Sequence, residues 1–455
     1  MSRLLISAAH KSSGKTTITL GLCAALAERG LAVQPFKKGP DYIDPMWLGK
    51  AAGRPCYNLD FYCMSHPEIL TTVGQRSMTA DISLIEGNKG LYDGLDLDGS
   101  NSNAALAKLT HTPVVLVLDA RGMTRGIAPL ILGNQAFDPD VRIAGVILNQ
   151  LGGSRHEAKL RAVIQHYTDV PVLGGVHRNR EMEITERHLG LIPSNEETSS
   201  MRRIGQIRNI INNHVDIDTL LSVCGEAPLD FEPPPVRQAV SGERVRIGIA
   251  RDAAFGFYYP DDLEALEQSG AELVTINTLE DRDLPDIEGL FIGGGFPETH
   301  MQALQANTAL RHRIREAISN GLPAYAECGG LMYLSRSLSW KGMHCEMVGV
   351  IPGDIIMHER PQGRGYVRLR ETSRLPWPEA NPQLEFAAHE FHYSSLENIA
   401  GPLTYALEVR RGTGIDGKHD GIVINNLVAA YSHLRDTRQH RWAHRFVDFV
   451  RRHGR

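Results

Sequence analysis

Two short segments carry residue types and spacing that could do chemistry. The first is AHKSSGKTT at 9–17. Gly14, Lys15 and Thr16 match the end of a GxxxxGK[ST] phosphate loop, with Ala9 where the first glycine would stand. An apolar strand precedes it and a helical pattern begins near Lys15, the context such a loop requires. Backbone N–H groups and a helix N-terminus cradle phosphates there. Lys15 would neutralise the β/γ-phosphates and Thr16 would hold Mg²⁺. Ser13, Gly14, Lys15, Thr16 and Thr17 are therefore the expected ATP-binding residues. Two acidic clusters could complete the site. FKKGPDYIDP (36–45) offers Lys37, Asp41 and Asp44, and IEGNKGLYDG (85–94) offers Glu86 at a strand end and Asp93 on the loop. Carboxylates just past strand ends lie where open α/β sheets bind ligands, and magnesium takes carboxylate oxygens beside phosphates. Each Asp taken singly reads equally as a helix cap or turn residue.

The second segment is YAECGGL at 325–331, a strand ending in Cys328 and followed by two glycines and a helical stretch. A strand-to-helix elbow presents its central side chain above the sheet with backbone N–H groups beside it. A cysteine there is placed for nucleophilic attack and a thioester intermediate. GGGFPE (293–298) follows the preceding strand, so Gly293, Gly294 and Gly295 are candidate oxyanion donors. His433, in AAYSHL after a late apolar strand, is the candidate base. HEFHYS adds His389, Glu390 and His392. Its histidines are three apart, so on a strand they face opposite ways, and a structural or interdomain role is expected rather than a metal site.

These residues need two sets of strands and helices to hold them. RLLISAA (3–9), DISLIEGN (81–88), PVVLVLDA (113–120), VRIAGVILNQ (141–150) and PVLGGV (171–176) read as strands. They are too continuously apolar to be half exposed, as in a parallel sheet covered on both faces. Helical spacing at 15–29 and 154–167 makes this a βαβ series. EAPLDFEPPPVRQAVSGE (226–243), with Pro233, Pro234 and Pro235 in succession, reads as a linker. The pattern then restarts with strands at 244–250, 272–277, 289–295 and 323–330, helices at 260–269 and 301–320, and a strand-rich stretch beyond 345. The expected domains are 1–225 and 244–455.

Composition excludes other classes. With 48 basic and 53 acidic residues the net charge is −5, against a coat for nucleic acid. The longest apolar run, PVVLVL at 113–118, is far short of the roughly 20 residues a membrane span takes. Six scattered cysteines without CxxC spacing read as reduced thiols, and the protein as soluble and cytoplasmic.

Taken in order, SSGKTT, QPFKKGPDYIDP, IEGNKGLYDG, VLDARG, GVILNQ, ERHLGLIP, FIGGGFPE, AECGGLMYL, HEFHYS and AAYSHL resemble the cobyrinate a,c-diamide synthase family over nearly the whole chain. The resemblance implies an α/β chain with an N-terminal doubly wound P-loop domain similar to dethiobiotin synthetase. A C-terminal class I-type glutamine amidotransferase domain would follow. It implies that Cys328 attacks glutamine with His433 as base and a Gly293–Gly295 N–H in the oxyanion hole. ATP would sit on Lys15 and Thr16, with Mg²⁺ near Thr16, Asp41 and Glu86, and Asn149 at the adenine. Lys37, Asp44, Lys89, Tyr92 and Asp93 would handle the tetrapyrrole. A homodimer is compatible with it. Position 435 is Arg where the family usually has a second histidine, and no His-x-Glu supplies a triad acid. The group orienting His433 is therefore not identified by the sequence.

Asn88 and Lys89 also depart from the usual small or apolar residues, and Lys89 could pair with a substrate carboxylate or stand solvated. These departures resemble the branch linked to dissimilatory sulfite reductase, which makes siroheme or sirohydrochlorin an alternative substrate. Readings of another class are a P-loop ATPase switch with an inactive glutaminase domain and a tetrapyrrole carrier.

Overall fold

The computed structural model describes all residues except 1, 183, 185, 188–189, 197–198, 227, 232–243 and 455. It divides into two compact units, residues 1–235 and 236–455. Most of the expected linker at 226–243, and part of the ERHLGLIP motif, lie outside the described residues.

The first unit alternates strands and helices: β1 (Ser2–Ala8), α1 (Lys15–Glu28), β2 (Val33–Lys38), α2 (Ile43–Ala52), β3 (Tyr57–Leu59), α3 (His66–Ser77), β4 (Ile82–Glu86), α4 (Asn103–Leu109), β5 (Val114–Asp119), α5 (Ile127–Phe137), β6 (Ile143–Leu151), α6 (Ser154–Tyr167) and β7 (Val172–His177). A short pair, β8 (Glu186–Arg187) and β9 (Gly190–Leu191), precedes α7 (Ser200–His214) and α8 (Ile217–Ser222). The strands form one parallel sheet in the order β3-β2-β4-β1-β5-β6-β7. Helices α3 to α6 bury their apolar faces on one side, with Ile69, Leu106, Ile131 and Ile164 in the same core as Leu5, Leu116 and Leu148. On the other side α1 packs on α2 and α7. Gly21 permits that approach, since a Cβ there would lie 2.3 Å from Ile211. Burial on both faces explains the continuously apolar strands. Strands β2 and β3 are additions to the sequence reading. VQPFKK hides its strand character behind Gln34, Pro35 and two lysines, and β3 has only three residues.

The second unit contains β10 (Val245–Ala250), β11 (Phe255–Phe257), α9 (Pro260–Gln268), β12 (Ala271–Ile276), β13 (Gly289–Ile292), β14 (Gly294–Gly295), α10 (Met301–Ala306), α11 (Thr308–Ser319), β15 (Ala324–Glu327) and α12 (Gly329–Leu334). Then follow β16 (Ser335–Trp340), β17 (Met343–Glu346), β18 (Ile351–Met357), β19 (Gly363–Glu371), β20 (Glu385–His392), β21 (Ser394–Glu397), β22 (Thr404–Arg411), β23 (His419–Ile424), β24 (Leu427–Ala430) and α13 (Trp442–His453). The main sheet runs β12-β10-β13-β15-β24-β23-β22-β19-β20. It is parallel from β12 to β24 and antiparallel beyond. The helix expected at 301–320 is two helices. They break at Asn307, whose amide donates to the carbonyls of Thr278 (2.9 Å) and Asp281 (2.8 Å) instead of continuing the turn. No helix among the described residues is long and apolar enough to cross a membrane.

Candidate active sites

In the first unit, the turn from β1 into α1 forms a loop with two residues at positive φ, Ser12 (61°) and Gly14 (87°). Gly14 is the N-cap of α1, a conformation that favours glycine. Ser13 turns its hydroxyl onto the His10 carbonyl (2.8 Å). Lys15 is buried, and that burial lowers its ammonium below the usual lysine value against the opposing pull of Glu86. Thr17 lies half-buried on the first turn of α1.

The ends of β2 and β4 meet the first turn of α1 below this loop. Thr16 Oγ1 donates to Glu86 Oε1 (2.5 Å) and lies 3.2 Å from Asp44 Oδ2. Lys37 Nζ lies 2.6 Å from Asp44, 3.1 Å from Glu86 and 3.8 Å from Asp41. Parallel pairing of β2 with β4 sets Lys37 directly beside Glu86. Asp41 also caps α2, accepting from the N–H groups of Ile43 (3.0 Å) and Asp44 (3.2 Å), so its turn role and its place in the cluster coexist. Burial raises Glu86 above the ordinary carboxylate value, with Lys37 opposing. Burial and then Asp44 push Asp41 up to about 7. Lys37 is held well above the usual lysine value: burial would lower it, but Asp44 and Glu86 outweigh that.

A divalent cation suits this donor set. Glu86 is fully buried, and its Oε2 has no hydrogen-bond partner among the described residues. Those residues form no cage of three or more His, Cys, Asp or Glu donors. Magnesium needs none, because it is held by one or two carboxylates, water and substrate phosphates.

The loop after β4 is braced by a residue the sequence reading missed, Asn103. Its Nδ2 donates to Ser7 Oγ (3.0 Å) and to the carbonyls of Asn88 (2.6 Å) and Gly90 (2.8 Å), while Oδ1 accepts from Asn88 N (3.1 Å). An Asn at a helix start carries no sequence signal for such a role. Three expected site residues also make hydrogen bonds within the fold. The Tyr92 hydroxyl donates to the Asn134 carbonyl (2.5 Å) on α5, not to the acidic cluster, because the ring packs 4.7 Å from Phe137. Asp93 closes the turn by accepting from Gly90 N (2.8 Å). Asn149, expected at the adenine, donates from Nδ2 to the Ser13 carbonyl (2.9 Å) and so holds the phosphate loop from beneath. Lys89 is exposed at φ 46°. Beside it Lys38 is buried, with Asn88 Oδ1 (3.2 Å) as its hydrogen-bond acceptor.

In the second unit, Cys328 stands between β15 and α12 at φ 47°, ψ −99°, a strained elbow for a non-glycine residue. Its N–H donates to the Ala430 carbonyl (2.7 Å), tying the elbow to β24. The parallel pairing of β15 with β24 brings the segment after β24, with His433, beside the elbow. Cβ atoms on two glycines would meet this arrangement: one on Gly294 would lie 2.6 Å from His433 Cε1, and one on Gly329 would lie 2.9 Å from Gly295 N. Gly294 and Gly295 thus border both the base and the elbow. The Gly293 N–H donates to the Tyr258 hydroxyl (3.0 Å), itself anchored on the Ala250 carbonyl. The Gly329 N–H faces the Cys328 sulfur. Burial, then the Glu298 carboxylate, raises the Cys328 thiol above its ordinary value.

The HEFHYS residues divide as strand alternation requires. His389 stacks on His433 with centroids 4.8 Å apart. His392 stacks on Tyr431 (3.8 Å), and Glu390 accepts from the N–H groups of Thr413 (2.7 Å) and Gly414 (2.8 Å). The sequence reading also missed Glu327, whose Oε2 lies 3.5 Å from His433 Nδ1.

Comparison with known proteins agrees with both halves. Residues 5–192 match the CobQ/CobB/MinD/ParA nucleotide binding domain, and residues 246–439 match the CobB/CobQ-like glutamine amidotransferase domain. A cobyrinate a,c-diamide synthase of Magnetococcus marinus is 46% identical over 99% of this chain and 98% of its own. Those of Methanosarcina acetivorans (43%, over 95% of this chain and 92% of its own) and Archaeoglobus fulgidus (40%, over 98% and 96%) align along almost their full lengths. With a nucleotide-binding domain, a glutamine amidotransferase domain and relatives of this similarity along its whole length, the chain belongs to the cobyrinate a,c-diamide synthase family.

Proposed function

We propose that the chain is an ATP-dependent, glutamine-hydrolysing ligase that amidates the a- and c-carboxylates of cobyrinate in the cytoplasm. Residues 1–225 act as the ligase domain and 244–455 as the glutaminase domain. One observation carries the reading: a cysteine elbow beside a histidine occurs in the same chain as a phosphate loop whose Thr16 converges with Lys37 of β2 on Glu86.

At the glutaminase site Cys328 Sγ attacks the side-chain amide carbon of glutamine, and His433 takes the thiol proton. The N–H groups of Gly295 and Gly329 hold the oxyanion, and His433 returns the proton to the departing nitrogen. Ammonia leaves, and water hydrolyses the thioester to glutamate. At the ligase site the problem is that a carboxylate is a poor electrophile. Its oxygen attacks the γ-phosphorus of ATP, ADP departs, and the acyl phosphate formed loses phosphate to ammonia. Lys15 and Lys37 place positive charge on the transferring group. Thr16, Asp41 and Glu86 would hold Mg²⁺, which supplies charge neutralisation at the phosphates. Asn149 serves ATP binding by fixing the loop. Tyr92 and Asp93 shape the acceptor loop, and Asp44 orients Lys37. Lys38, buried with Asn88 as its acceptor and Asp60 as the nearby anion, and the exposed Lys89 give a peripheral carboxylate of the ring a cationic seat.

The test supplies purified protein with glutamine, ATP, Mg²⁺ and, in turn, cobyrinate, sirohydrochlorin and siroheme, and reads acid-to-amide exchange by mass spectrometry. Two exchanges on cobyrinate are expected. Exchange on sirohydrochlorin or siroheme alone reassigns the substrate, and none on any tetrapyrrole overturns the reading.

A further inference from the structure

The residue two places after His433 is Arg435, so the sequence neighbourhood supplies no acid for the base. Arg435 is buried and committed elsewhere. It pairs with Asp261 (2.6 Å) and lies over the Tyr259 ring at 4.5 Å, while the Tyr259 hydroxyl sits 3.3 Å from His389 Nδ1. His389 in turn stacks on His433 at 15° between ring planes. This side of the base therefore carries a cation and a second imidazole. Burial first, then His433 and Arg435, hold His389 well below the usual histidine value.

Glu327 meets the same ring at Nδ1. It ends β15, next to Cys328, and is almost fully buried. Its Oε1 is occupied by the Tyr325 hydroxyl (2.7 Å) and by the N–H of Leu434 (2.8 Å), the residue after His433. Those two donors fix the carboxylate plane and leave Oε2 directed at His433 Nδ1, 3.5 Å away. Contacts of this kind are longer at rest and shorten when the base becomes charged.

We propose that Glu327 is the positioning carboxylate of the glutaminase site. It holds the His433 ring so that Nε2 serves the Cys328 thiol, and it stabilises the imidazolium formed when the thiol proton moves. The proposal rests on the Cys328–His433 reading above.

E327Q tests it in the full-length protein. Glutaminase kcat is expected to fall by about 10²- to 10⁴-fold, the range for loss of an orienting carboxylate. Amidation driven by added ammonia stays within about threefold. The acid limb of kcat/KM for glutamine moves to lower pH by about one unit, because loss of the anion makes His433 harder to protonate. His389, Arg435 and Glu298 remain in place and contribute equally to both profiles. E327D keeps the anion and is expected to recover part of the rate. E327A is read in place of E327Q if circular dichroism shows E327Q unfolded. The proposal is overturned if E327Q, or E327A in its place, keeps glutaminase within about threefold with an unmoved acid limb. C328A retaining glutaminase would instead remove the nucleophile reading itself.

Discussion

Asn149 and Gly14 meet so closely that a side chain at position 14 would displace the Asn149 amide. Asn149 reaches from the end of β6 to the Ser13 carbonyl, and a Cβ on Gly14 would lie 2.2 Å from its Nδ2. Gly14 also stands at φ 87°, where an L side chain costs about 1 kcal/mol or more. G14A is expected to raise KM for ATP at least about tenfold and to leave glutaminase activity unchanged. Isothermal titration with a non-hydrolysable ATP analogue checks this. N149A relieves the clash, so G14A/N149A binding more tightly than G14A is the signature of the contact.

Separate reactive centres predict separable losses. C328A should abolish glutamine-supported amidation, by on the order of 10³-fold or more, since the nucleophile is gone. Added ammonium salt should restore amidation, more strongly as pH rises and free ammonia accumulates. Product measured with each nitrogen source decides it, and failure of ammonia to rescue would contradict independent sites.

Lys38 sets a pH dependence for acceptor binding. Burial lowers its ammonium to about 8, with Asp60 opposing and Lys89 and Lys37 adding to the fall. A carboxylate needs the cation, so KM for the tetrapyrrole should be flat below about pH 8 and climb above it. K38M should raise KM by roughly tenfold, the equivalent of 1.4 kcal/mol, and flatten the profile. Unchanged kinetics with K38M would remove Lys38 from the acceptor site.

Acid stability of the second unit should depend on Glu371. Burial alone would raise this carboxyl, but hydrogen bonds from His440 (2.9 Å) and Arg445 (2.5 Å) bring it to about 2. Its folded value is depressed, so its contribution is complete above the unfolded value of 4.5 and disappears as pH falls toward about 2. E371Q leaves Arg445 buried without a counter-charge, at a cost of about 3–5 kcal/mol. Thermal melts across pH 2 to 7 should show a lower Tm at neutral pH and a smaller acid-induced drop than the parent.

The sequence alone was enough for features whose determinants are contiguous. Five parallel strands of the first sheet, the phosphate loop and the Cys328 elbow each follow from a run of residues read in one place. Burial on both faces makes such strands uniformly apolar, and the loop and elbow owe their shape to local backbone chemistry. What only the tertiary structure decided is which distant groups meet and which donors are already taken. Parallel pairing sets Lys37 beside Glu86, although they are far apart in the chain. Pairing of β15 with β24 places Glu327 against His433, where the sequence suggested looking two residues downstream. Packing gives the Gly293 N–H and the Tyr92 hydroxyl their partners in Tyr258 and Asn134. Hydrogen-bond partners are chosen by three-dimensional proximity among many equivalent donors, and a one-dimensional pattern carries no record of that choice.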